Sequence, residues 1–135
     1  MIIVFDLDGT LIDSSKRLYC LFQRLIPESE FSKFEYWELK RNKIDHQSIL
    51  EKFFPEREFD IFNKEMLSKI ELPEYLSMDR VFPDTIETLE CLSVSHTLVW
   101  LTARQSKERL MREMEWLHMD PYFDSILVTE SKTTR

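Results

Sequence analysis

The chain has 135 residues and a formal net charge of −7, with 43% hydrophobic and 13% aromatic side chains. That is one domain of ordinary length with enough apolar matter for a core, and its acidity argues against a general nucleic-acid or anionic-membrane surface. No apolar run reaches transmembrane length, the N-terminus reads as a strand rather than a signal peptide, and Cys20 and Cys91 lack metal or redox spacing. A reducing cytoplasm is therefore expected, with each cysteine a buried free thiol on an apolar helix face.

In chain order, Met1-Ile2-Ile3-Val4-Phe5 comes first, a continuous apolar run of the kind expected for a parallel strand buried on both faces. It leads into Asp6-Leu7-Asp8-Gly9-Thr10-Leu11, which holds the only glycine of the chain. Side chains alternate along a strand, so Asp6 and Asp8 leave its carboxyl end on the same side, where open α/β sheets bind ligands. Two like charges this close need a cation between them or a raised pKa on one. Mg²⁺ suits carboxylate oxygens and commonly accompanies phosphate. One Asp can then attack as a nucleophile while the other moves a proton. The plain alternative is an Asp-Gly turn with two solvated carboxylates.

Residues beyond Ser14 read as helices. Leu18, Leu21, Phe22 and Leu25 recur at three- and four-residue spacing, as do Ile49, Leu50, Phe53 and Phe54. Phe59, Phe62, Met66 and Ile70 form a third stripe, and Phe31, Phe34 and Trp37 a weaker one. Pro27, Pro55 and Pro73 fall between stripes, where helices should end. Ser14 or Ser15 suits the N-cap of the first helix, and four packed helices are the natural solution. Further on, Pro83 fits the first turn of a helix carrying Ile86, Leu89 and Leu92. Leu98-Val99-Trp100-Leu101-Thr102 reads as a second strand, Gln105 to Met119 as a helix, and Ser125-Ile126-Leu127-Val128-Thr129 as a third strand. Thr102-x-x-Gln105 also reads as a capping box. Strand, long crossover, strand, helix, strand is the order of a parallel α/β sheet. His46, His96 and His118 have no partner spacing, so packing or surface roles are expected for all three.

The string Asp6-Leu7-Asp8-Gly9-Thr10-Leu11-Ile12-Asp13-Ser14 resembles the first motif of the haloacid dehalogenase-like phosphohydrolases, and within them the branch of phosphoglycolate phosphatase and β-phosphoglucomutase. The resemblance implies a Rossmann-like α/β core, residues 1–14 and 80–135, with residues 15–79 inserted as a four-helix cap. It implies Asp6 as the nucleophile that becomes an aspartyl-phosphate, Asp8 as the general acid/base, and Mg²⁺ held by Asp6 and Asp8, the latter through its backbone carbonyl. Thr102 and Ala103 match the second motif, where a strand-end hydroxyl beside helix amides cradles an anion. Lys132, after the third strand, would neutralise the phosphoryl group. Arg104, and Lys40 and Arg41 beside Trp37, are the substrate-contact candidates. A cap of this kind excludes water and reads the substrate, with hinges near residues 13–15 and 76–80.

The family's fourth motif, a further strand ending in acids that complete the Mg²⁺ site, has no counterpart up to Arg135. With strands roughly 4.8 Å apart, Glu130 would start about 10 Å from Asp6, too far to substitute. The expectation is a C-terminally incomplete core whose first strand is a sheet edge, open to self-association with another copy. The implied activity is a Mg²⁺-dependent phosphatase acting on a small phosphorylated metabolite, impaired in this short chain. A phosphomutase or other phosphotransferase of the same family is the alternative, and so is a non-catalytic relative that binds phosphate or a partner.

Overall fold

The computed structural model describes residues 1–129. Strand β1 (Ile2–Asp6), β4 (Thr97–Thr102) and β5 (Ser125–Val128) form a parallel sheet in the order β1-β4-β5. In register, Ile2 stands against Thr97, Asp6 against Leu101, and Thr102 against Val128. A second, two-stranded sheet pairs β2 (Ile12–Asp13) antiparallel with β3 (Arg80–Val81). Between these two short strands run α1 (Ser15–Leu25), α2 (Lys33–Arg41), α3 (His46–Phe53), α4 (Phe59–Lys69) and the single turn α5 (Pro73–Leu76). Helix α6 (Thr85–Ser93) precedes β4, and α7 (Lys107–Trp116) links β4 to β5 through a 3₁₀ turn, Asp120–Tyr122. The chain is thus α/β with a Rossmann-like parallel sheet, as the strand and helix spacing implied.

The apolar side chains gather into two cores. One unites α1 to α5 around Phe22, whose ring meets those of Tyr36, His46, Phe54 and Phe62. The other lies against one face of the sheet, where Leu98 and Trp100 pack with Leu89, Leu110, Met114 and Met119. All four stripes before residue 71 fold as helices, and two of them, α2 and α3, open on side-chain N-caps. Ser32 accepts from the Glu35 amide at 3.1 Å while Glu35 accepts from the Ser32 amide at 2.9 Å, and Asp45 accepts from the Ser48 amide at 2.9 Å.

Several expectations are corrected. Strand β1 is not buried on both faces. Ile2 is 67% and Val4 52% exposed, because among the described residues β1 pairs only with β4 and its outer face is uncovered. On α2 the buried ring is Tyr36 rather than Phe34, since its hydroxyl can satisfy His46 Nε2 at 2.8 Å inside the core. Burial also raises the Tyr36 phenol pKa above its ordinary value. Pro83 does not open α6, because Asp84 takes a left-handed φ of 65° as its N-cap and the helix starts at Thr85. Pro73 is the first residue of α5 rather than a simple break. Cys20 is half-buried and Cys91 exposed. The helix expected from Gln105 to Met119 spans only Lys107–Trp116, and His118 lies just past its end at φ 61°.

Candidate active site

The carboxyl end of β1 is shaped by one backbone turn. The amides of Thr10, Leu11 and Ile12 all converge on the Leu7 carbonyl, at 3.3, 3.0 and 3.1 Å, and the Gly9 amide donates to the Ile12 carbonyl at 2.8 Å. Leu7 is buried and anchors the turn, so Asp6 and Asp8 flank a fixed point. Gly9 holds φ at +85°, and a Cβ there would meet nothing within 4 Å. The glycine is needed for its backbone angle and not for space. Gly9→Ala should cost about 1–2 kcal/mol of stability through left-handed strain alone. Denaturant unfolding checks this; an unchanged midpoint would mean the turn relaxes to another shape.

Asp6 stands exposed at the strand end, its Oδ1 accepting from the Leu7 amide at 2.9 Å. It is level with Leu101, so Thr102 comes one residue further along the adjoining strand. Thr102 is buried and its Oγ1 accepts from the Arg104 amide at 3.2 Å, while Ala103 between them is exposed. Asp8 lies two residues past Asp6 and is gripped on both carboxylate oxygens. Arg104 donates from Nε to Oδ2 and from Nη2 to Oδ1, each at 2.9 Å, and Arg17 donates from Nη2 to Oδ1 at 3.2 Å. A paired guanidinium fork of this kind favours the ionised carboxylate and fixes its direction.

Behind Asp8 the pairing continues inward. Arg17, in the first turn of α1, donates to Asp79 Oδ1 at 3.0 Å and to the Ile70 carbonyl at 3.1 Å. Arg104 Nη2 stands 3.5 Å from Asp79 Oδ2 and 3.0 Å from Glu113 Oε1. Arg17, Asp79, Arg104 and Glu113 are all buried. The cluster thus sets two guanidiniums against three carboxyl groups, so one proton balances it. Glu113 is the group that takes it. Burial pushes its carboxyl up to about 8, Arg104 works against that shift, and the neighbouring Asp79 adds to it.

The N-terminus of α7 is also spoken for. Ser106, not Thr102, is its N-cap, accepting from the Arg109 amide at 3.2 Å. The amides of Gln105 and Ser106 donate to the Glu71 carboxylate at 2.7 and 3.0 Å. The Thr102–Gln105 capping box therefore does not form. A carboxylate from the α4–α5 link, buried beside the dipole of α7, does that work better.

Asp6, Asp8, Thr102, Ala103 and Arg104 thus share the carboxyl ends of β1 and β4. Arg104 turns its guanidinium into the cluster behind Asp8. Lys40 is half-buried on α2, and burial lowers its pKa to about 8 against the pull of Asp45. Arg41 is exposed and pairs with Glu38 at 3.3 Å. Lys132 lies outside the described residues. Among the described residues no three His, Cys, Asp or Glu side chains gather as a metal cluster, and no helix is long and apolar enough to cross a membrane. Arg17, Asp79, Glu113 and Glu71 were not foreseen as part of this region. Two of them left a trace. Arg17 precedes Leu21 by four residues and Glu113 follows Leu110 by three, charged side chains in phase with an apolar stripe.

Residues 3–135 match the family model described as haloacid dehalogenase-like hydrolase. Similar solved structures include a hydrolase from Streptococcus pneumoniae TIGR4, at 16% identity and TM-score 0.66 over 99% of this chain and 69% of that one. A haloacid dehalogenase-like family hydrolase from Streptococcus pneumoniae is 23% identical at TM-score 0.60, covering 98% of this chain and 62% of that one. A protein described as a predicted phosphoglycolate phosphatase, from Haemophilus somnus 129pt, is 20% identical at TM-score 0.54, covering 100% and 65%. The chain therefore spans roughly two thirds of the length of these structures, and at such identities they speak for the fold alone. No curated protein matches the chain.

Proposed function

The chain belongs to the haloacid dehalogenase-like hydrolases, and from that premise we propose that it is a Mg²⁺-dependent phosphatase of small phosphorylated metabolites working through an aspartyl-phosphate. The observation that carries this reading is the meeting of Asp6 and Thr102 at adjoining carboxyl ends of paired strands, with Asp8 two residues beyond. Residues 15–79 serve as the cap and residues 1–14 and 80–135 as the catalytic core. The two free cysteines are in keeping with a reducing cytoplasm.

In this mechanism an Asp6 carboxylate oxygen attacks phosphorus and the bond to the leaving oxygen breaks. Asp8, which must enter this step protonated, gives that oxygen its proton and then, as a carboxylate, takes one from the water that opens the aspartyl-phosphate. Asp8 must loosen its hold on Arg17 or Arg104 to do so, which makes the guanidinium clamp part of the cycle. Thr102 Oγ1 and the Ala103 amide orient the phosphoryl oxygens, and Lys132 adds positive charge. The exposed Asp6 carboxylate and the Asp8 backbone carbonyl are oxygen donors that fit Mg²⁺, which commonly takes only one or two carboxylates beside substrate phosphate. When bound, the ion neutralises charge at the phosphoryl group. Lys40, Arg41 and Arg104 are the candidates for reading the rest of the substrate.

The decisive test is Asp6→Asn against a generic aryl phosphate with Mg²⁺ present and absent. An amide cannot accept the phosphoryl group, so turnover should fall by on the order of 10⁴-fold or more. Mass spectrometry of wild type quenched in acid should find phosphate on the peptide holding Asp6. Turnover that survives in the Asp6→Asn variant would assign the chemistry to another nucleophile. Transfer of the phosphoryl group to a sugar instead of water would identify a mutase.

A further inference from the structure

One face of α7 carries Arg109, Arg112, Glu113 and Trp116, spaced three and four residues apart so that they align. Opposite them stand Pro73 and Leu76 of α5, and the two sides flank an open cavity of about 470 Å³. That size lies in the range of small-molecule sites, which are apolar with a few placed polar groups. None of Asp6, Asp8 or Thr102 lines it.

Several side chains in and beside the lining bear on what would fill it. Trp116 is 51% exposed, so indole surface is available to a ligand in the cavity. Arg109 has no carboxylate partner among the described residues; its Nη1 donates only to the Glu71 carbonyl at 3.3 Å. Arg80, over the Trp116 ring at 6.0 Å, likewise donates only to the Ser77 and Asp79 carbonyls. Arg112 has a partner, Glu108 at 2.7 Å, but both are largely exposed, and such a pair is worth little. On a protein of net charge −7, guanidiniums without partner carboxylates at the edge of an apolar cavity are a local reversal of sign. Glu113 also lines the cavity, and its carboxyl oxygens accept no well-directed hydrogen bond although Arg104 stands 3.0 Å away.

We propose that this cavity between α5 and α7 binds a small aromatic oxyanion, its ring against Trp116, Leu76 and Pro73 and its carboxylate or phosphate on Arg109 and Arg112. The forked guanidinium matches either planar carboxylate or phosphate oxygens, and the arginine charge selects against neutral rings. None of the residues proposed to do phosphoryl chemistry lines this site, although its Glu113 also meets the Arg104 that holds Asp8.

The test follows the indole N–H signal of Trp116 by NMR while benzoate, phenylphosphonate, inorganic phosphate or benzyl alcohol is added to the full chain. Benzoate or phenylphosphonate should shift that signal saturably, and whichever binds tighter names the preferred oxyanion. Inorganic phosphate and benzyl alcohol should bind at least about tenfold more weakly, since each supplies half of the recognition. Arg112→Gln, at an exposed position that leaves the fold intact, and Arg109→Gln should each weaken binding about fivefold or more. Benzyl alcohol binding as tightly as benzoate would reduce the cavity to a greasy surface and overturn the proposal. So would unaltered binding in Arg112→Gln, or no saturable shift with either aromatic anion.

Discussion

Arg104→Met should destabilise the protein by about 3–5 kcal/mol, because removing one partner from a buried ionic cluster leaves the other charges uncompensated. At this chain length that is a fall in Tm of roughly 10–20 °C. Arg104 meets Asp8, Asp79 and Glu113 at once, and Arg104, Asp79 and Glu113 are buried while Asp8 is part-exposed. Without it, Arg17 alone faces three carboxyl groups. Methionine has a similar length and fills much of the same volume, so the loss is electrostatic rather than a cavity. Arg104→Lys should recover only part of the difference, since an ammonium cannot make the two parallel bonds to Asp8. Calorimetric unfolding of the three proteins settles the order. A methionine variant as stable as wild type would mean that the cluster rearranges or fills with water.

The second large effect concerns pH. The Glu113 carboxyl sits at about 8 in the folded protein, chiefly through burial, against its ordinary value of 4.5. A raised folded value means the native state binds the proton more tightly than the unfolded chain. The stabilisation is complete below about 4.5 and is lost as pH rises through about 8. Wild type should therefore lose stability steadily between pH 5 and 8, where most carboxylates have no further effect. Glu113→Gln keeps the shape without the titration. The difference in Tm between the two proteins should move in favour of the glutamine variant as pH rises. A difference that stays constant from pH 5 to 8 would show that Glu113 is ionised in the fold throughout. Arg104 pairs with both Asp8 and Glu113, so ionised Glu113 competes with Asp8 for it.

Much of the architecture was legible from spacing. The stripes led by Leu18, Ile49 and Phe59 fold as helices because burial of one face is a short-range property. Strands β4 and β5 are legible as apolar runs, β4 ending at Thr102 and β5 one residue before Thr129. The errors share a cause. Phe34 and Tyr36 cannot be ranked without knowing that His46 waits across the core for a hydroxyl. Pro83 looks like a helix start until Asp84 is seen to adopt a left-handed turn. The Thr102–Gln105 pattern is a sound capping box that lost its amides to a residue from a different helix connection.

Sequence alone determined the family, the α/β order of elements and the tip of β1. Asp6, Asp8 and Gly9 lie within four residues, and the end of β1 and one backbone angle fix where they stand. Tertiary structure decided what Asp8 touches and which proton Glu113 keeps. Arg104 is 96 positions from Asp8 and Asp79 is 62 from Arg17, so no local pattern could bring them together. The physical reason is desolvation. A charge admitted to the interior must find its counter-charge wherever the fold delivers one, and that search is conducted in space and not along the chain.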